Sequence, residues 1–411
     1  MNFSRVTKLI LVAGAVAMIN AVAPAEDWHR WRGPDLNGIS KETGWQATNW
    51  PAEGPKVLWK ASVGTGFSSV SVSKGRLYTV GNDGKETDTV YCFDAATGSN
   101  VWKYPYQCPL GAKFYEGGTS ATPTVDDDRV YVFSRQGDII CMTAATGQGI
   151  WARNVNKQLH KEIPTWGFAG SPLIDGDLVI LNAGLSGVAY NKKSGAVVWH
   201  SALGVSGYAT PVPFDYGTNR YVAIFASKTI QFQEAANGKP VWSFPYETEY
   251  DVNAADPIIF DKKVFLSAGY GHGAALLDIS GKWPFVIWEN KNFRNHINSS
   301  VLWQGNLYGV DDISNSKYAL KCIDWKTGAE KWSDPTFGKG ALMMADGKII
   351  GLSDKGELRI IEPSPTECKI ISRAQVLGGK CWTTPVLSNG RIYCRNSKGD
   401  LVCVDVSGKK S

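Results

Sequence analysis

Seven tryptophans constrain this 411-residue chain more than any other feature, because they return along it at a nearly fixed interval. Trp59, Trp102, Trp151, Trp199, Trp242, Trp288 and Trp332 are spaced by 43, 49, 48, 43, 46 and 44 residues. A turn glycine precedes each one from Trp102 onward, at Gly98, Gly147, Gly195, Gly238, Gly281 and Gly328. A polar residue stands four before most of these glycines, at Asp94, Thr143, Asn191, Glu234 and Asp324, with Asp278 shifted by one. Between the anchors, apolar and polar residues alternate with a period of two, broken by Gly, Asp or Asn, which is how short antiparallel strands read. A period in the forties with four strands per unit belongs to propeller blades, whereas a helical solenoid would show a 3.6-residue pattern.

Thr122 to Trp151 displays one unit in full: a Thr-Pro opening, an apolar run, a polar turn, an Arg-Val-Tyr strand, a Gly turn, a third strand, then Thr-Gly and Trp. Third strands fall around Tyr91, Ile140, Ala189, Gln231, Leu276, Lys321, Arg359 and Val402, so the expected fold is all-β, an eight-bladed propeller of four-stranded antiparallel blades. The last unit has no Trp strand, and residues 57–60 are a Trp strand with no unit before them. Pairing these two ends would close the ring and leave no long unpaired inner edge. The seventh unit is the weakest copy, since its fourth strand, placed at Cys368 to Val376, lacks the Trp.

Residues 57–411 therefore read as one ring-shaped domain, each unit packing only on its neighbours. Residues 1–25 read as an export signal: Arg5 and Lys8, an apolar run too short to span a bilayer, and the small-residue cleavage site Ala23-Pro24-Ala25. No cysteine stands there to carry a lipid anchor, and the chain is expected to be periplasmic or secreted, without a transmembrane segment. Cleavage would take the formal charge from +5 to +3, too little to suggest nucleic acid. Residues 26–56 read as a strap and linker, in which Trp28 to Ser40 packs across the ring and Arg30 and Arg32 are structural.

Cys92, Cys141, Cys322 and Cys403 hold one equivalent position in four units and read as buried apolar residues, too far apart to bond. Cys394 and Cys403 face each other across an expected hairpin, Cys368 and Cys381 flank one connection as the better pair, and Cys108 has no obvious partner.

Walker, GxSxG, HExxH and paired CxxC signatures are absent. Asp126-Asp127-Asp128 reads as a hairpin turn rather than a calcium loop, and the five histidines show no metal-ligand spacing, so no metal site is expected. The loops from each Trp strand to the next unit vary most and should gather around one end of the pore. The candidate binding residues lie there: Glu116, Trp166, Tyr208, Asn253, Asp256, Arg294, His296, Asn298, Lys339 and Trp382. Cations for carboxylates, Trp for stacking and Asn for carbonyls would suit a flat acidic ligand.

The segments Cys92-Phe-Asp94-Ala-Ala-Thr97-Gly98-Ser-Asn-Val-Trp102 and Cys322-Ile-Asp324-Trp-Lys-Thr327-Gly328-Ala-Glu-Lys-Trp332 resemble the pyrroloquinoline-quinone (PQQ) type propeller repeat. Trp31-Arg32-Gly33-Pro34 also resembles the opening of exported members of that superfamily. The resemblance implies one of two functions. One is a cofactor-free scaffold, similar to the propeller subunit of the outer-membrane barrel-assembly machinery, that holds envelope or secreted proteins through its inter-blade loops. The other is a quinoprotein alcohol or sugar dehydrogenase, with PQQ and calcium over the pore and an Asp as base; Glu116, Asn253 and Asp256 are the residues placed to serve it. The dehydrogenases' adjacent Cys-Cys pair, long insertions and CxxCH are absent here, which disfavours the enzyme, and the missing lipid-anchor cysteine equally separates the chain from the barrel-assembly lipoprotein; the reading taken is a non-catalytic scaffold, expected to be a monomer.

Overall fold

The computed structural model describes residues 26–201, 203–314 and 316–408, so the export signal read at residues 1–25 lies outside the described residues. Eight sheets form the body, each with its four blade strands hydrogen-bonded in spatial order. Blade 1 comprises Ser71–Ser73, Arg76–Asn82, Thr87–Asp94 and Asn100–Gln107. Blades 2 to 7 open on Thr124–Asp126, Leu173–Asp175, Val212–Tyr216, Ile258–Phe260, Val301–Trp303 and Ala341–Ala345. Their outermost strands are Gly149–Asn154, Val197–His200, Pro240–Pro245, Phe285–Asn290, Glu330–Asp334 and Lys369–Gln375. Blade 8 combines Val386–Ser388, Arg391–Arg395 and Asp400–Asp405 with Val57–Ser62, whose Trp59 lies opposite Cys403 and whose Lys60 lies opposite Val402. The ring is thus closed by the N-terminal strand.

The recurrent Trp works at the boundary between blades. Its indole N–H donates to a backbone carbonyl of the next blade at all seven positions: Trp59 to Ala95, Trp102 to Ala144, Trp151 to Lys192, Trp199 to Ala235, Trp242 to Lys282, Trp288 to Trp325 and Trp332 to Ser364, at 2.7–3.1 Å. In three blades the same oxygen takes a second bond from a tyrosine of the blade that bears the Trp: from Tyr393 at Ala95, Tyr78 at Ala144 and Tyr131 at Lys192. Those tyrosines lie directly opposite Cys403, Cys92 and Cys141, which explains why cysteine repeats there as a small buried residue. The turn glycine supplies the flat seat for the ring: a Cβ on Gly147 would lie 2.5 Å from Trp102, and one on Gly195 2.6 Å from Trp151.

Blade 7 breaks the pattern, and the register shows how. The Trp stands opposite the residue just before a bulge in every other blade, as Trp332 does opposite Cys322; in blade 7 that place, opposite Ile360, is held by Ser372. The lead-in supplies the substitute. Gln46 N–H donates to Val406 O at 2.6 Å, the carbonyl that corresponds to Ala95 O, and Trp45 is buried in the cluster that also packs Ile371. The junction without an intrinsic Trp is therefore sealed by a segment from outside the blades.

Residues 26–42 circle the inside of the ring along its innermost strands. Trp28 O accepts from Val72 N and His29 O from Val125 N, Arg30 reaches Ile174 O, Arg32 reaches Ser300 O, and Ile39–Ser40 pairs in parallel with Met344 and Ala345. Glu42 then accepts from Asn389 N and Gly390 N. The strap closes the pore at its hairpin-turn end.

The expected sulfur pairs are corrected by the sheet register, since all eight cysteines are free. Cys403 lies opposite Tyr393 and Cys394 opposite Val402, so the two point to opposite faces. Cys368 packs beside Asp334 while Cys381 turns to the carbonyls of Gly378 and Gly379 in a different cluster.

Three substitutions test this scheme. Trp45→Ala should lower stability by roughly 3–5 kcal/mol, as for a core Trp, in chemical denaturation. Gly147 and Gly44 both have positive φ, but nothing lies within 4 Å of a Cβ on Gly44. Gly44→Ala should cost about 1–2 kcal/mol from backbone strain alone, and Gly147→Ala about 1–3 kcal/mol more from crowding against Trp102.

Candidate functional site

The mouth of the pore is framed by the residues that open blades 1 to 6. Ser69 N donates to Thr122 Oγ1, Thr122 N to Ser171 Oγ, Ser171 N to Thr210 Oγ1, Thr210 N to Asp256 Oδ1, and Asp256 N to Ser299 Oγ, at 2.7–3.1 Å. Thr122, Ser171, Thr210 and Asp256 thus each use a backbone donor and lend a side-chain acceptor to the blade before. The Thr-Pro and Ser-Pro openings of the repeat are links of a circumferential chain. Asp256 takes a Ser/Thr place in that chain, and its second oxygen accepts from Trp31 Nε1 of the strap at 2.6 Å.

Above this frame lies a cavity of about 270 Å³ to which all eight inter-blade connections contribute. Phe67, Tyr115, Trp166, Tyr208, Val252, His296, Lys339 and Trp382 come from successive connections around the ring, and Trp31 of the strap joins the lining. Aromatic rings form one continuous wall. Trp382 stacks on Phe67 at 5.6 Å and 25°, Phe67 meets Tyr115 at 5.6 Å, and Tyr115 meets the edge of Trp166 at 5.9 Å. Phe114 extends the wall to the rim, where it is 91% exposed.

The ionisable groups are concentrated beside Trp382. Lys339 Nζ lies 4.2 Å from the Trp382 ring centroid and 3.2 Å from His296 Nδ1, while Asp312 Oδ2 lies 3.0 Å from the same nitrogen. One nitrogen cannot donate to Asp312 and accept from Lys339 together; the ionised carboxylate is the stronger partner, which puts the proton on Nδ1. Burial lowers the His296 pKa, so the ring is neutral. Burial acts to raise Asp312, but the His296 hydrogen bond and the Lys339 charge outweigh it and hold the carboxyl below its usual range. Burial brings Lys339 down to about 8, against the pull of Asp312.

Seven of the ten residues proposed from sequence line this cavity: Trp166, Tyr208, Asp256, His296, Asn298, Lys339 and Trp382. Three do not. Glu116 is paired with Lys380 at 2.8 Å. Asn253 is fully buried, its amide donating to the carbonyls of Ala226, Ser227 and Tyr246. Arg294 makes a two-nitrogen fork with the buried Asp311. Phe67, Phe114, Tyr115 and Tyr270 were missed; the first three lie on the variable connections, where an aromatic count would have shown them, and Tyr270 lies on the turn between Lys263–Ala268 and Gly273–Asp278 within blade 5.

Calcium does not fit the residues named for it. Glu116, Asn253 and Asp256 fail to converge, and both Asp256 oxygens are engaged, with Arg32 3.9 Å away. Burial raises the Asp256 pKa, partly offset by Arg32. Among the described residues no three His, Cys, Asp or Glu side chains are grouped to hold a metal.

The family model described as outer membrane protein assembly factor BamB matches residues 39–119 and 86–334. The chain belongs to this family of PQQ-like propellers. No curated protein matches it. Among solved structures it is similar to BamB from Moraxella catarrhalis, at 16% identity and TM-score 0.63, over 87% of this chain and 99% of that one. It is also similar to quinohemoprotein alcohol dehydrogenase from Comamonas testosteroni, at 14% identity and TM-score 0.73, over 96% and 82% of the two chains. A europium-containing methanol dehydrogenase aligns at 13% identity and TM-score 0.66, over 92% of this chain and 89% of that one. At such identities the likeness is one of fold.

Lys339 gives the site a pH signature. A cation over an indole perturbs its emission, and Lys339 is protonated below about 8 and neutral above it. The Trp fluorescence should therefore titrate with a midpoint near 8, and Lys339→Met should remove that step while leaving the remaining profile; an unchanged step would place the titrating group elsewhere.

Proposed function

We propose that the chain is an exported, non-catalytic binding scaffold of the cell envelope, which presents the pore mouth and its inter-blade loops to envelope or secreted proteins. One observation carries the reading: every inter-blade connection feeds one aromatic cavity, while Asp256, the only carboxylate of its lining among the described residues, is consumed by the hydrogen-bonded frame beneath it. The mouth has recognition surface without a free carboxylate base. Stacking on Trp382 and Trp166 and the charge of Lys339 suit a planar or acidic group on the partner. Membership of the BamB family supports the envelope location, and no helix among the described residues is long and apolar enough to cross a membrane.

A quinoprotein dehydrogenase is the competing reading. The likeness in fold to an alcohol dehydrogenase favours it, as does the His296–Asp312 pair, since a histidine oriented by a carboxylate can serve as a general base. The absence of a converging calcium set weighs against it.

Two measurements separate the readings. Purified protein given PQQ, calcium, alcohols or sugars and an artificial electron acceptor should show no turnover; reduction of the acceptor above the protein-free rate would establish the dehydrogenase instead. A photo-crosslinker at Phe114, on the mouth, should trap a discrete partner in the native envelope, and one at Lys74, at the strap end, should not. Equal yields from both faces, or none from Phe114, would remove the mouth as the docking face.

A further inference from the structure

The sheet register aligns the blades at one level. Thr124 of blade 2 pairs through Tyr131 and Cys141 with Trp151, and Met343 of blade 7 pairs through Ile350 and Ile360 with Ser372. Four residues before that level, every blade supplies one residue to the lining of the mouth cavity. Seven of the eight are uncharged, among them Phe67, Ala169, Tyr208, Ile297 and Trp382, and in blade 7 the place falls to Lys339. A single amine thus stands in a largely apolar and aromatic ring.

A buried lysine is ordinarily matched by a carboxylate. Lys321 is, by Asp311 at 2.8 Å and Glu330 at 2.7 Å. Lys339, only 7% exposed, forms no ion pair among the described residues. Its nitrogen lies over the rings of Trp382 and Tyr318, at 4.2 and 5.1 Å, and 3.2 Å from His296 Nδ1, while Asp312 is turned to that histidine. Burial brings its pKa down to about 8 against the pull of Asp312, the like charge of Lys380 over the same indole adds to the lowering, and His296 and Tyr318 are neutral neighbours. Part of the amine is therefore unprotonated at neutral pH. A desolvated, neutral lysine in an apolar pocket is a nucleophile toward a carbonyl carbon.

We propose that Lys339 captures small apolar aldehydes as an imine, so that the cavity is a reversible covalent site for carbonyl compounds. The amine nitrogen attacks the carbonyl carbon, a C=N bond replaces the C=O bond, and both amine protons leave with the oxygen as water; nothing is oxidised or reduced. His296, backed by Asp312, stands beside the nitrogen to carry one of those protons. The walls select the body of the ligand. The stacked Trp382 and Phe67 suit an aromatic ring, and a cavity of about 270 Å³, below the usual volume of drug-sized sites, suits a single one. Capture of such a molecule is independent of any protein that docks at the mouth.

Benzaldehyde with sodium cyanoborohydride fixes such an imine as a benzylamine, which peptide mass mapping locates. In the purified protein near pH 7, Lys339 should be labelled on the order of tenfold faster than the exposed lysines, because an amine that titrates near 8 is far more often neutral than an ordinary lysine. Formaldehyde, which has no ring to stack, should show a smaller advantage. Lys339→Arg keeps a cation over Trp382 but cannot form the imine, and should abolish the fast phase. Labelling of Lys339 no faster than that of exposed lysines, an advantage just as large with formaldehyde, or a fast phase that persists in Lys339→Arg would each overturn the proposal. The first two readouts use the unaltered chain and stand whatever the stability of the variant, and neither partner docking nor turnover with a quinone enters any of the three.

Discussion

An indole N–H bonded to the backbone carbonyl of the next blade is the contact on which this ring depends. A four-stranded blade cannot bury its two faces alone, and in repeat folds stability resides largely in the interfaces between units. The Trp meets both needs of such an interface. Its area fills the wedge between blades, and its single donor fixes the register by requiring one particular oxygen. The glycine opposite is its necessary counterpart, because a side chain at Gly147 or Gly195 would occupy the space of the ring itself. The repeat period measured in the sequence is thus the distance along the chain between successive uses of one contact.

The same economy explains the mouth. Because the opening residues of blades 1 to 6 bond one another in succession, the floor of the cavity is a partial hoop of hydrogen bonds while its walls are loops of unequal length. Rigid support beneath variable loops is a usual arrangement for recognition. Asp256 shows how a site candidate can belong to the frame: its two oxygens replace one hydroxyl, one serving the hoop and the other fastening Trp31 of the strap. The strap therefore does more than cross the pore, since it supplies part of the cavity lining and neutralises with Arg32 the one carboxylate exposed to it.

What the sequence made legible was whatever repeats. Blade number, strand order, the Trp boundary and closure by residues 57–60 follow from aligned spacing. Even the Ser372 vacancy was visible as a missing Trp. Its repair by Trp45 and Gln46 was not, because a segment that appears once has no copies to align with. The cysteines show the same limit at finer scale: one residue of register decides whether Cys394 and Cys403 face each other, and a hairpin drawn from pattern alone does not resolve it. Among the site candidates, Lys339, His296 and Trp382 were reachable because the loops bearing them begin and end at known points of the ring. Glu116, Asn253 and Arg294 satisfied the same rule, yet a polar side chain on a loop turns to whichever partner is nearest, and Lys380, three backbone carbonyls and Asp311 are nearer than the cavity.

Closure joins the two ends of the chain, and there the fold adds a second, directional constraint. Arg395 is buried at a place where the equivalent residues are Val80, Phe133, Asn182, Phe225, Ser267, Val310 and Leu352, all buried and none of them charged. Its guanidinium donates to Ser68 O, Thr79 Oγ1 and Val80 O at 2.6–2.8 Å and to Gly64 O at 3.2 Å, all in blade 1 or the segment leading into it. Burial lowers its pKa to about 10, which leaves it charged at neutral pH, with the Asp88 carboxylate as the main opposing influence. Burying a cation costs several kcal/mol that apolar packing would not. Its partners explain why the position is not apolar: carbonyls that converge on one planar fork can be matched only when blade 8 meets blade 1 in a single orientation. In the other blades all four strands follow one another along the chain. In blade 8 the outermost strand, Val57–Ser62, runs on into blade 1 but has no such connection to the other three, and the fork of Arg395 ties those three to blade 1 and to the segment that follows Val57–Ser62.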